Sequence, residues 1–132
     1  MKNSTILWAD DDMDDLMLMR QILEDMDHSY DIHEVYNGRE ALDFLHKAKK
    51  EGKLPCLLIL DMNMPVLNGR ETLAILKSEE DLKDLPVVVF TTSSSKMDEM
   101  FCARFGVRML TKPPNYDNLN DAIKEILNYC NR

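Results

Sequence analysis

Four short stretches of this chain carry residues able to do chemistry: Asp10-Asp11-Asp12, Asp61, Thr91-Thr92 and Thr111-Lys112. Each follows directly on an apolar run, Thr5–Ala9, Cys56–Leu60, Val87–Phe90 and Val107–Leu110 respectively. In a parallel sheet the ends of neighbouring strands lie ~4.8 Å apart. Unit charges about 5 Å apart repel by roughly 3 kcal/mol at an effective dielectric of about 20. Asp10, Asp11 and Asp61, gathered at such ends, would therefore take up a cation or raise a pKa. Hard carboxylates without histidine or thiolate suit Mg²⁺, with Mn²⁺ the alternative, better than zinc. Asp61, emerging after four apolar residues, is a candidate nucleophile toward phosphorus. With the hydroxyl of Thr91 and the ammonium of Lys112, the set fits a phosphoryl group. Cation and lysine neutralise its oxygens while the hydroxyl hydrogen-bonds them.

Taken singly, each residue has a plainer reading. Asp12 caps a helix starting near Met13, but capping needs one carboxylate and not three. The Asp10-x-Asp12-x-Asp14 spacing imitates the opening of a calcium-binding loop, which would want Gly at Asp15, Glu at Gln21 and a preceding helix. Thr91 alone is a β-branched strand end, and Lys112 alone a surface lysine. It is the convergence of four strand ends that points to phosphoryl chemistry.

The elements that must position these residues are legible as alternating patterns. A fifth strand-length run, Ile32–Tyr36, joins the four above, and helix-like stripes separate them. Cys56–Leu60 and Val87–Phe90 are apolar throughout, as expected for central strands covered on both faces. Asp31–Tyr36 is more polar and suits an edge. Leu16, Met19, Leu23 and Met26 form one stripe, and Ala41, Leu42, Leu45 and Ala48 a second. Thr72, Leu73 and Leu76 mark a short third helix, and Met97, Met100, Phe101 and Arg104 a fourth with a polar outer face. Leu119, Ala122, Ile123, Ile126, Leu127 and Cys130 mark the fifth. Asn37-Gly38, Asn68-Gly69 and Pro113-Pro114 punctuate the loops. Strict alternation implies an α/β fold with right-handed crossovers, an open parallel sheet and a site at the carboxyl ends of its strands.

The chain has 132 residues, room for one domain, with 45% hydrophobic and 30% charged side chains. Sixteen basic against 24 acidic residues give a net charge of −8, which disfavours direct nucleic-acid binding or an anionic membrane surface. No run approaches the ~18 apolar residues of a membrane span, and no signal peptide is visible. Cys56, Cys102 and Cys130 are an odd, scattered set without CxxC, which argues against a disulfide framework and fits a reducing cytosol. His28, His33 and His46 show no ligand spacing. The basic run Lys47–Lys53 reads as a solvated helix end, and most of the ten methionines as core filler.

In order and over nearly the whole chain, Asp10-Asp11, Leu-Leu-Ile-Leu-Asp61-Met-Asn-Met-Pro65, Asn68-Gly69, Val-Phe-Thr91 and Lys112-Pro113 resemble the receiver domain of bacterial two-component response regulators. The resemblance implies a flavodoxin-like (βα)5 doubly wound sheet of order 2-1-3-4-5 with helices on both faces. It implies that Asp61 is the phosphoacceptor, served by a histidine kinase or histidine phosphotransfer protein. Asp10, Asp11, Asp61 and the backbone carbonyl of Asn63 would hold Mg²⁺. Thr91 and Lys112 would bind the phosphoryl group, and Asn63 and Ser93 would tune dephosphorylation. The protein would be a cytoplasmic switch rather than a metabolic enzyme, assisting its own phosphorylation and dephosphorylation. It would signal to a downstream protein through the face of helix 4, strand 5 and helix 5, as a monomer that dimerises on phosphorylation.

Three positions depart from the family pattern. Met109 stands where an aromatic switch residue is usual, Pro114 follows Lys112-Pro113, and Thr92 occupies a place commonly held by a smaller residue. The resemblance also implies a cis Lys112-Pro113 bond. Residues 1–132 are expected to form one receiver domain with no output domain. The alternative is a constitutive receiver-fold interaction module that does not use phosphorylation. A phosphatase of the haloacid dehalogenase type would want a second Asp where Asn63 stands, and neither GxGxxG nor GxxxxGK is present.

Overall fold

The computed structural model describes residues 4–26 and 29–130; His28 lies outside them. Five strands, β1 (Thr5–Ala9), β2 (Asp31–Val35), β3 (Leu57–Leu60), β4 (Val87–Thr91) and β5 (Arg108–Thr111), alternate with five helices among the described residues. These are α1 (Met13–Met26), α2 (Gly38–Lys50), α3 (Gly69–Ser78), α4 (Lys96–Arg104) and α5 (Tyr116–Leu127). All strand pairs are parallel and the order is β2-β1-β3-β4-β5, a flavodoxin-like doubly wound sheet. The polar β2 is an edge strand, and the wholly apolar β3 and β4 lie inside, as their compositions require.

Successive strand residues point to opposite faces, so the same strands feed two cores. Leu7, Ala9, Leu58, Leu60 and Val89 pack against α2, α3 and α4. Ile6, Trp8, Ile59, Val88 and Phe90 pack against α1 and α5. The stripes of α1, α2, α3 and α5 bury as their spacing predicts, with Leu16, Met19 and Leu23 inward on α1 and Leu119, Ile123 and Ile126 inward on α5. Full burial of each such aliphatic side chain contributes about 1.5–3 kcal/mol.

Helix α4 corrects the sequence reading. Met97 and Met100, expected inward, are 80% and 62% exposed, while Asp98 and Cys102 are buried. The helix is turned because Asp98 has charged and hydroxyl partners beneath it, a reason that hydrophobic spacing does not encode. Met13 and Met17 are also exposed, so of the methionines only some, such as Met19, fill the core.

Two further expectations are overturned. Cys56 and Cys130, 74 residues apart in sequence, are joined as a disulfide with their Cα atoms 4.9 Å apart. The chain beyond α5 returns to the start of β3, a contact that no local cysteine spacing announces. Among the described residues no peptide bond is cis, so the Lys112–Pro113 bond is trans, the lower-energy isomer for a residue preceding proline.

Candidate functional site

Register brings the chemistry together. Ala9 pairs with Leu60, so the next residues, Asp10 and Asp61, leave adjacent strands at the same level. Thr91 pairs with Thr111, which sets Lys112 one step beyond, its backbone N–H donating to the Thr91 carbonyl at 2.7 Å. The buried carboxylates of Asp10 and Asp61 and the exposed one of Asp11 offer oxygens that all lie within 4.8 Å of one another. Three carboxylates at that separation form an acidic pocket that a divalent cation can neutralise. The donor set is all oxygen, which suits a hard ion.

Lys112 crosses this pocket. Its Nζ donates to Asp10 Oδ2 at 2.5 Å, to Asp15 Oδ2 at 2.9 Å and to Asp61 Oδ2 at 3.5 Å. Burial alone would lower the Lys112 pKa, but the bonds to Asp10 and Asp15 outweigh it and hold the ammonium above its ordinary range. Burial pushes Asp10 the other way, up to about 6, against the bonds from Lys112 and the Asp12 amide and with the charge of Asp61 adding to the rise.

The local backbone is shaped to hold these groups. Asp12 caps α1, accepting from the Asp15 amide at 3.1 Å, while its own amide donates to Asp10 Oδ1 at 3.0 Å. After β3 the chain turns sharply at Val66, whose φ of 67° lies in the left-handed region that β-branched residues avoid. Asn68 and Glu71 then close a capping box on α3. Gly69 is required there, because a Cβ would fall on the Asp61 carbonyl and come within 2.7 Å of Met62 Cα. Helix α3 is thus seated directly against the backbone of Asp61.

Of the residues singled out from sequence, Asp10, Asp11, Asp61 and Lys112 converge. The exposed Asn63 borders them, its N–H donating to Asp61 Oδ1 at 3.3 Å. Thr91 is fully buried at the end of β4, its hydroxyl oxygen accepting from the Ser93 amide at 3.2 Å. Ser93 donates its own hydroxyl to Asp98 Oδ2 at 2.8 Å. Thr92 is exposed and lines a cavity of about 540 Å³ with Asp15, Leu18, Lys112 and Tyr116, between the starts of α1 and α5. Met109 is half-buried on the other side of β5, bordering a smaller cavity with Glu99 and Ala103 of α4. It belongs to the α4 interface rather than to the acidic pocket.

Three residues of this network escaped the sequence reading: Asp15, Arg70 and Asp98. A signal existed for two. Asp15 lies one helical turn from the cap Asp12, and Asp98 stands three after Ser95, the spacing of an N-cap and its N3 partner. Arg70 carries no such mark.

A family model for the response regulator receiver domain matches residues 6–124. The chain is 32% identical to the probable methanogenesis regulatory protein FilR2 of Methanothrix harundinacea, over 94% of this chain and 81% of that protein. It is also 32% identical to the response regulator Rcp1 of Synechocystis, over 92% of this chain and 84% of that one. Among solved structures, the phosphorylated cyanobacterial phytochrome response regulator RcpA superposes with a TM-score of 0.87 at 30% identity, covering 97% of this chain and 94% of that one. The Mn²⁺-bound form of Rcp1 gives a TM-score of 0.83 at 32% identity, covering 94% and 91%.

Proposed function

The chain belongs to the response regulator receiver family, and from that premise we propose that it is a single-domain signalling switch phosphorylated on Asp61. The observation that carries this reading is the convergence of Asp10, Asp11, Asp61 and Lys112, with the Lys112 ammonium reaching Asp10 and Asp61 of that acidic pocket and Asp15 beside it. A carboxylate oxygen of Asp61 would attack phosphorus, forming an O–P bond as the bond to the donor's leaving group breaks. A histidine kinase or histidine phosphotransfer protein would be the donor, since receiver domains work with such partners. Lys112 and the proton of the Thr91 hydroxyl would then hold the phosphoryl oxygens, and the preference of these groups for the charged product would tip the loops after β4 and β5.

Asp10, Asp11, Asp61 and the carbonyl of Asn63 would hold Mg²⁺, which supplies charge neutralisation at the phosphoryl oxygens. The all-oxygen donor set supports a hard divalent ion, and Rcp1 has been solved with Mn²⁺. Lys112 must give up part of its contact with Asp10 and Asp15 to engage a phosphoryl group on Asp61. Asn63, exposed beside the acceptor, and Ser93, tied to Asp98, would tune the return of the phosphoryl group to water. Receiver domains are switches, so a slow, self-assisted dephosphorylation is the extent of catalysis proposed.

The output would leave through α4, β5 and α5, where the exposed Met97 and Met100 stand among charged neighbours as adaptable contacts for a protein partner or a second phosphorylated copy. Relatives little longer than this chain support residues 1–132 as a single receiver unit. The acidic charge argues against direct nucleic-acid binding, and no helix among the described residues is long and apolar enough to cross a membrane. We place the protein in the cytoplasm on the ground of the kinases that feed receivers alone, since the Cys56–Cys130 bridge removes the cysteine argument for a reducing compartment.

Intact-protein mass spectrometry after incubation with acetyl phosphate and Mg²⁺ tests the reading. Wild type should gain one phosphoryl group and Asp61→Ala none. No gain in wild type, with a histidine kinase also failing as donor, would favour the constitutive interaction module instead.

A further inference from the structure

A second polar network lies behind the acidic pocket, and its two charged members, Asp98 and Arg70, carry none of the roles assigned above. Asp98, on the first turn of α4, is 3% exposed. Its Oδ1 accepts from Arg70 Nε at 3.0 Å and from the second arm of the same guanidinium at 2.5 Å, while its Oδ2 accepts from the Ser93 hydroxyl at 2.8 Å. The Ser93 amide in turn donates to the Thr91 hydroxyl oxygen, and its carbonyl accepts from Thr111 Oγ1 at 3.4 Å. Arg70 is the second residue of α3, directly after Gly69, whose amide is bonded to the Met62 carbonyl and whose Cα lies against the Asp61 carbonyl. One carboxylate thus ties the segment after the acceptor to the segment after β4.

We propose that Asp98 is a positioning residue for the Thr91 hydroxyl: anchored by Arg70, it fixes Ser93, whose amide holds the Thr91 oxygen as acceptor and directs its proton toward the phosphoryl group. This rests on the reading of Asp61 and Thr91 given above. The geometry favours positioning over a purely structural pair. A stability role would need only Arg70 and Asp98, and buried ion pairs are weak stabilisers once desolvation is counted. Here the second carboxylate oxygen serves Ser93 alone. Both Arg70 nitrogens converge on Oδ1, which anchors that oxygen and leaves Oδ2 turned to the Ser93 hydroxyl.

The test is the rate at which the full-length protein, saturated with Mg²⁺, gains a phosphoryl group from acetyl phosphate. Losing the hydrogen bond that orders Ser93 should slow loading by roughly fivefold to tenfold in Asp98→Ala, with the half-saturating donor concentration unchanged. Arg70→Gln should act in the same direction more weakly, and Arg70→Lys should lie between Arg70→Gln and wild type. In a Thr91→Ala background, Asp98→Ala should change nothing further, because the hydroxyl through which it acts is gone. Equal slowing with and without Thr91, or no slowing in Asp98→Ala, would overturn the proposal. Should Asp98→Ala fail to fold, Arg70→Gln makes the same comparison, since Arg70 is half exposed. A wild type that gains no phosphoryl group overturns the proposed function and this inference with it. A wild type that loads while the variants match it overturns the inference alone.

Discussion

The ammonium of Lys112 stands 2.9 Å from the carboxylate of Asp15, nearer than it stands to Asp61. Asp15 is partly exposed on the first turn of α1 and has no place in the acidic trio, yet it holds the cation that a phosphoryl group on Asp61 would need. Asp15→Asn removes that hold and one negative charge from the path of an anionic donor. Loading from acetyl phosphate should rise roughly twofold to fivefold, the range of a half-exposed ion pair. A rate unchanged in a time course by mass spectrometry would mean that Lys112 moves freely despite Asp15.

Divalent cation binding should appear as stability. A hundredfold excess of Mg²⁺ over its dissociation constant stabilises the folded chain by about 2.7 kcal/mol. Asp11 is exposed, so Asp11→Ala leaves the core untouched and should remove most of the rise in melting temperature. Equal Mg²⁺ shifts in wild type and Asp11→Ala, followed by calorimetry, would remove Asp11 from the site.

Acid should reveal Asp98. Burial by itself raises its pKa, but the bonds from Arg70 and Ser93 prevail and hold the carboxyl below its ordinary 3.8. A group with a depressed folded pKa stabilises fully above its unfolded value and loses that contribution as pH falls through the folded one. Wild type should therefore exceed Asp98→Asn in stability by about 1.5–3 kcal/mol near neutrality. The gap should narrow below pH 3.8. A gap independent of pH in urea titrations would show that the charge of Asp98 contributes nothing.

The cysteines should divide by chemistry. Cys102 is buried, and desolvation, aided by the charge of Asp98, pushes its thiol up to about 11, so alkylation of the native protein should be slow at pH 8. Cys56 and Cys130 should resist alkylation until a dithiol reductant opens their bridge. Reduction should cost about 4.5 kcal/mol for a loop closed by residues 74 apart in sequence. Melting curves with and without dithiothreitol measure that loss, and identical curves would place the bridge outside the folded state's energetics.

The sequence by itself determined the order of the elements, that β3 and β4 lie inside and β2 at an edge, the burial of α1, α2, α3 and α5, and the arrival of Asp10, Asp61, Thr91 and Lys112 at one end of a parallel sheet. These follow from local periodicity and from one topological rule, since residues just past parallel strands emerge on the same edge. Only the tertiary structure decided that α4 turns Asp98 inward and Met97 outward, that Cys130 meets Cys56, that Met109 packs toward α4, and that Lys112 rests on Asp15. Each of those depends on a partner far along the chain. A charged residue scores as solvent-facing in any hydrophobic pattern, and Asp98 becomes a core residue only when folding brings Arg70 and Ser93 to its oxygens and offsets the cost of burying it.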